Sequence, residues 1–129
     1  ALADVGQPKA AAAARRLAAY NPSLRYEAMD RRFDATLADE LLADADAVVD
    51  CTDNFAAKFV VNDAALRTGV PAVLASVYQY EGQLQVVRPD RGGSCLRCQL
   101  PEATRDGLVG NCAEAGVLGP VPAVLGQLQ

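Results

Sequence analysis

Ala47-Val48-Val49-Asp50-Cys51-Thr52-Asp53-Asn54 is the stretch on which the fold turns. Three apolar residues run into a polar cluster, and a helical pattern begins at Phe55. Val48 and Val49 predict a short buried strand, so Asp50 to Asn54 falls where a strand stops and a helix starts. In open α/β sheets, ligands bind outside the carboxyl ends of the strands. That makes this loop the first candidate site. Two roles are open to its carboxylate and amide. Asp53 or Asn54 can cap the helix by accepting a backbone N–H. Asp53 can instead hold a hard cation such as Mg²⁺, which prefers carboxylate oxygen.

Working outward toward the start of the chain, Asp44-Ala45-Asp46 leads into this strand. Thr36 to Leu42 predicts a helix with Leu37, Leu41 and Leu42 on one face. Leu24 to Met29 predicts a short strand, and Phe33 packs beneath the polar stretch that follows it. Pro8 suits the first turn of an Ala-rich helix running to Tyr20, and Asn21-Pro22 ends it. Lys9 therefore sits in the first helical turn, where the helix dipole disfavours a cation but favours an anion. A solvated lysine and a phosphate-binding lysine both fit that position.

Toward the other end, a helix is predicted from Phe55 to Arg67, closed by Thr68-Gly69. Phe55, Phe59 and Leu66 share helical spacing and are assigned to the core. Lys58 and Asn62 lie four apart on a neighbouring face; the Asp50–Asn54 loop and water are both within their reach, and solvent is the default assignment for each. Cys51 is read as buried filler between strand and helix. Pro71 to Val77 is a further apolar strand. Tyr80-Glu81-Gly82 is a turn, and Leu84, Val86 and Val87 belong to a returning strand. So short a connection permits only an antiparallel pair. Strands alternating with helices, with one antiparallel strand added, predict an α/β fold with a mixed sheet.

Composition narrows the function. The 129 residues suffice for one domain with a moderate core, and 51% are hydrophobic. A net charge of -4 argues against a nucleic-acid backbone as the main partner. No apolar run approaches the roughly 20 residues a membrane helix needs, and no signal peptide is visible. Four cysteines, two of them in Cys95-x-x-Cys98, fit metal or thiol chemistry in a reducing cytoplasm better than a disulfide scaffold. Two cysteines at this spacing are half of a tetrahedral zinc site, with a redox dithiol as the rival. Gln99 to Gly110 has no periodicity and predicts a mobile loop, with Cys112 at its far end. Ala123 to Gln129 opens a helical pattern. The chain uses Arg ten times and Lys only at Lys9 and Lys58. Those two positions mark places where a compact ammonium is wanted.

Asp4-Val5-Gly6-Gln7-Pro8-Lys9, Asp50-Cys51-Thr52-Asp53-Asn54, Glu81-Gly82-Gln83, Cys95-x-x-Cys98 and Cys112-Ala113-Glu114-Ala115-Gly116-Val117 occur in this order. Together they resemble the ThiF/MoeB/HesA family, the bacterial relatives of ubiquitin-activating enzymes. The resemblance covers almost the whole chain. It implies a Rossmann-like domain that binds ATP and Mg²⁺ and adenylates the C-terminal glycine of a ubiquitin-like sulfur-carrier protein, for molybdopterin or thiamine biosynthesis.

On the same resemblance, Lys9 contacts the ATP phosphates, and Asp53 helps hold Mg²⁺ and the nucleotide. Asn54 and Lys58 join the nucleotide site, although many members carry Arg where Lys58 stands. Cys95 and Cys98 are the first half of a four-cysteine structural zinc site. Cys112 matches a loop cysteine that in some members bonds covalently to the carrier or its sulfur. A small buried apolar role is the alternative for that side chain.

The glycine-rich phosphate loop, the ribose-binding acid, the arginine near the γ-phosphate and the second cysteine pair are not found between Ala1 and Gln129. The expectation is therefore an internal segment of a longer, commonly dimeric protein. Residues 1–90 would form a nucleotide-binding α/β part, 91–118 a zinc half-site and crossover loop, and 119–129 the start of a C-terminal helix. The family's sheet order of roughly 3-2-1-4-5 would make Leu24–Met29 its third strand and Ala47–Asp50 its fourth. Two strands would precede Ala1, and helices would cover both faces of the sheet. Alone, such a segment is expected to be marginally stable and inactive. Two other functions compete. One is a non-catalytic half that binds a carrier or partner subunit. The other is an NAD-dependent dehydrogenase, which the absence of a glycine fingerprint and of any His disfavours.

Overall fold

Val48–Asp50 (β1) pairs in parallel with Ala72–Tyr78 (β2), which pairs antiparallel with Glu81–Val87 (β3). This is a mixed three-stranded sheet of order β1-β2-β3. The structure, a computed structural model, describes residues 2–101 and 116–129. The helices are α1 (Lys9–Tyr20), α2 (Ala35–Leu42), α3 (Phe55–Thr68), the short α4 (Leu96–Gln99) and α5 (Pro120–Leu128). The fold is α/β, as the alternating pattern predicts. It divides into two compact units, residues 1–32 and 33–129.

In the first unit, a 3-10 turn at Leu2–Asp4 precedes α1. Asp4 accepts hydrogen bonds from Arg15, at 2.7 Å, and from Arg16. Pro8 stands immediately before the helix, where its missing N–H costs nothing. No residue of α1 is buried. The strand expected at Leu24–Met29 does not form. A strand exists only through its ladder partner, and none of the described residues pairs with this stretch.

In the second unit, the core lies between the sheet and the helix pair α2 and α3. Ala38 and Leu42 of α2 meet Phe59, Val61, Ala64 and Ala65 of α3 and Ala72 and Leu74 of β2. Ala38, Ala64, Ala65 and Ala72 are wholly enclosed. Small side chains let these helices approach the strand closely. Two caps fix the helix starts: Asp34 accepts from the N–H of Leu37, and Asn54 from that of Ala57, each at 2.9 Å. Gly69, at φ 79°, closes α3 in the left-handed conformation that glycine adopts freely.

Side chains alternate along β2 and β3. Gln85 is the register partner of Leu74, and Gly82 that of Val77. These two pairs therefore face opposite sides. Gly82 faces α5: a Cβ there would lie 2.8 Å from Leu125 Cδ1 and 3.2 Å from Val121 Cγ1. Helices thus cover both faces of the sheet, as expected. The hairpin turns through Gln79 and Tyr80, and β3 already starts at Glu81, the centre of the predicted turn. Gln79, at φ 51°, takes the left-handed conformation without being glycine.

Three burial expectations are corrected. Val49 is half exposed, since a three-residue strand shows alternate residues to opposite faces and that face of β1 is uncovered among the described residues. Leu66 is 43% exposed, because one residue past Ala65 turns it about 100° around α3, away from the stripe formed by Val61, Ala64 and Ala65. Cys51 is exposed as well. It stands past the last paired residue of β1, where the chain has already left the sheet.

Candidate functional site

The polar loop after β1 is built around a buried carboxylate. The Asp50 side chain is fully enclosed. Its Oδ1 accepts from the Thr52 N–H at 3.1 Å and from the Thr52 hydroxyl at 2.7 Å. Its Oδ2 accepts from Lys58 Nζ at 2.6 Å. The same ammonium donates to the Ala75 carbonyl of β2. A single knot therefore ties the end of β1, the first turns of α3 and the middle of β2. Lys58 is 4% exposed, so its assignment to solvent is overturned. A lone buried ammonium is too costly to survive, but one with a carboxylate and a carbonyl around it is satisfied.

Because Asp50 is spent internally, Asp53 is the carboxylate the loop offers outward. Asp53 is exposed, and one of its oxygens accepts from Asn54 Nδ2 at 3.3 Å. Asn54 itself takes the capping role. The alternatives left open by sequence therefore divide between neighbours: Asn54 caps, and Asp53 is free to meet a cation. Gln129 Nε2 donates to the Asp50 carbonyl at 3.0 Å and so braces the loop from α5.

The middle of α3 meets the segment that carries the cysteine pair. Cys95 precedes α4, and its Sγ lies 3.7 Å from that of Cys98. Two sulfurs bound at about 2.3 Å in a tetrahedral site lie about 3.8 Å apart, so the spacing fits one edge of a zinc tetrahedron. It is far longer than the S–S bond of a disulfide, about 2.0 Å. Burial raises the Cys95 thiol, but hydrogen bonds from the Cys98 and Arg97 backbone, the Cys98 thiol and Asn62 outweigh it and leave it below the ordinary value. Among the described residues, no group of three or more His, Cys, Asp or Glu gathers as a metal site.

Asn62, also assigned to solvent from its spacing, is wholly buried. Its Oδ1 accepts from the Leu96 N–H at 2.9 Å. Beside it, Asp63 receives a two-pronged pair from Arg97, at 2.8 and 2.6 Å, and Arg97 lies 4.6 Å over the Phe59 ring. That pair lowers the Asp63 carboxyl, through its hydrogen bonds to Arg97 first and against the opposing effect of burial. Neither contact is visible in the helical periodicity, because the partners are 34 residues apart.

Lys9 is the first residue of α1 and is exposed. It belongs to the first unit, Asp53 and the cysteines to the second. Cys112 lies outside the described residues, as does most of the loop predicted from Gln99 to Gly110. Gln99 itself ends α4.

The loop after β1 stands at the carboxyl end of a parallel strand, which is where open α/β sheets bind their ligands. Comparison with known proteins makes this specific. The ThiF family matches residues 1–129, and the chain belongs to that family. It is 45% identical over 129 residues to a sulfur carrier protein adenylyltransferase of Thermus thermophilus, covering 97% of this chain and 48% of the relative. It is 40% identical over 126 residues to a SAMP-activating enzyme E1 of Haloferax volcanii, covering 98% and 46%. It is 36% identical over 126 residues to a sulfur carrier protein ThiS adenylyltransferase of Escherichia coli, covering 98% and 49%. The chain spans about half the length of these relatives. No helix among the described residues is long and apolar enough to cross a membrane.

Proposed function

We propose that the protein carrying this chain is an ATP-dependent adenylyltransferase acting on the C-terminal glycine of a ubiquitin-like sulfur-carrier protein of molybdopterin or thiamine synthesis. The carrier's carboxylate attacks the α-phosphorus of ATP. A carboxyl–phosphate bond forms, the α–β phosphoanhydride breaks, and pyrophosphate leaves. The observation that carries this reading is the exposed Asp53 carboxylate in the loop after β1, beside an Asp50 whose own carboxylate is engaged by Thr52 and Lys58. Relatives named as sulfur-carrier adenylyltransferases support it.

Nucleophile and triphosphate are both anionic, so the site must offset charge and align the reactants. Asp53 is a fitting oxygen donor for Mg²⁺, which would neutralise phosphate charge when bound. Lys9, at a helix start, supplies a further cation toward the phosphates. Asn54 sets the loop by capping α3. Lys58 serves the nucleotide through Asp50, keeping the loop's path fixed, rather than by reaching phosphate itself. Cys95 and Cys98 hold a structural zinc with a second cysteine pair. Cys112 acts after adenylation, as a thiolate attacking the carbonyl carbon of the acyl-adenylate, so that a C–S bond forms and AMP leaves. The assembly is a homodimer in the cytoplasm.

The test is carrier-dependent exchange of labelled pyrophosphate into ATP, measured on the intact protein. Lys9→Ala and Asp53→Ala should each abolish exchange, whereas Cys112→Ala should leave exchange intact and stop only later sulfur transfer. An intact protein that binds carrier but supports no exchange would instead be a non-catalytic subunit. Undiminished exchange in Asp53→Ala would remove Asp53 from the site.

A further inference from the structure

Between Cys95 and Cys98 stand two residues, Leu96 and Arg97, and α3 grips both. The Leu96 N–H donates to Asn62 Oδ1 at 2.9 Å, and the Arg97 guanidinium makes its paired bonds to Asp63 while lying over Phe59. Asn62 Nδ2 donates to Asp63 Oδ1 at 3.0 Å, so the two anchors are joined to each other. Leu96 itself is buried in the core. An asparagine with no exposed surface is costly unless bonded. Here its oxygen meets a backbone N–H at the start of α4, a donor with no partner inside that helix. The segment between the cysteines therefore has its backbone pinned at one residue and its side chain pinned at the next.

We propose that Asn62, together with the Asp63–Arg97 pair, is a seat that presets Cys95 and Cys98 at metal-ligating spacing before any metal arrives. Asn62 is a positioning residue: it touches the turn that carries the thiols and acts on the metal only through them. Groups of this kind, one step removed from a metal, typically alter affinity 10- to 100-fold when lost. The proposal rests on the zinc reading above, and its test separates the two.

Zinc content and the rate of zinc release to a chelator are measured on the intact protein for the parent, Asn62→Ala and Arg97→Gln. Val61→Ala serves as the control, since Val61 is buried on the same helix and belongs to the core rather than to the seat. Asn62→Ala should release zinc at least about tenfold faster than the parent, with Arg97→Gln between them. Val61→Ala should lower the melting temperature but leave release unchanged. A second probe needs no zinc: a phenylarsine oxide condenses with two thiols together, forming two As–S bonds and releasing water. Its reaction with the Cys95–Cys98 pair should slow in Asn62→Ala. Equal release and equal arsenical reaction in parent and Asn62→Ala would overturn the seat, as would acceleration no greater than that of Val61→Ala. Should Asn62→Ala not fold, Arg97→Gln carries the same comparison. A parent without zinc whose arsenical reaction still depends on Asn62 would sink the zinc reading and leave the seat standing.

Discussion

Replacing Lys58 by Met tests how strongly the knot at the end of β1 is held. The substitution removes an ammonium whose nitrogen lies 2.6 Å from Asp50 Oδ2 and leaves the side-chain volume nearly unchanged. At an effective dielectric of about 20, that separation corresponds to a gross attraction of about 6 kcal/mol, before desolvation is subtracted. What decides the outcome is the carboxylate left behind. The Asp50 side chain has no exposed surface, and only Thr52 would remain as a side-chain partner. Breaking a buried pair by removing one member costs about 3–5 kcal/mol. Against a total stability of about 5–15 kcal/mol, such a loss threatens folding at physiological temperature. The double variant Asp50→Asn with Lys58→Met should recover most of it, because no buried charge is then stranded. Lys58→Arg keeps a cation in a space fitted to an ammonium and should cost less than Lys58→Met. Urea unfolding of the parent, Lys58→Met, Asp50→Asn and the double variant, followed by circular dichroism, gives the coupling energy directly. A cost below about 1 kcal/mol for Lys58→Met would be that of an exposed pair. It would refute the claim that this carboxylate depends on its lysine.

The Asp63–Arg97 pair predicts a small acid sensitivity. The folded carboxyl of Asp63 lies below its unfolded value, so the unfolded chain binds the proton more readily. The contribution is complete above the ordinary carboxylate range, near pH 4, and is lost as pH falls through the lower folded value. Asp63→Asn should flatten that limb of an acid titration followed by melting temperature. Because the Arg97 side chain is 49% exposed, the difference should not exceed about 1 kcal/mol. On the opposite face, Gly82→Val should cost about 1–3 kcal/mol, since a Cβ there already meets Leu125 and Val121. Chymotryptic cleavage should then appear first at the leucines of α5, Leu125 and Leu128, and an unchanged melting temperature would show that this helix is not seated as described.

What was legible in the sequence was whatever depends on near neighbours. The apolar run ending in Asp50 located β1, Gly69 located the end of α3, and the shortness of the connection at Tyr80-Glu81-Gly82 made β2 and β3 antiparallel. Asn54 could be named as a cap because the cap and the N–H it meets are three residues apart. Leu24–Met29 failed for the converse reason. Its composition suits a strand, but a strand is a property of two segments, and no described neighbour pairs with it. Asn62 failed likewise: its partner is the N–H of Leu96, and nothing in α3 announces it.

Lys58 shows two sequence arguments in conflict, and the reason one of them won. Helical spacing put its side chain on a face beside the apolar stripe, and charge on such a face normally goes to water. Residue choice said otherwise, since a chain with ten arginines spent one of its two lysines there. The buried space between Asp50 and the Ala75 carbonyl explains the choice. A compact ammonium donates in several directions from one point, whereas a planar guanidinium needs a broader, flatter set of acceptors. The exposed Arg97 of α4, meeting Asp63 of α3 with two parallel bonds and stacking on Phe59, shows the other preference. Spacing assigns a face, but the shape of the charged group records what waits there.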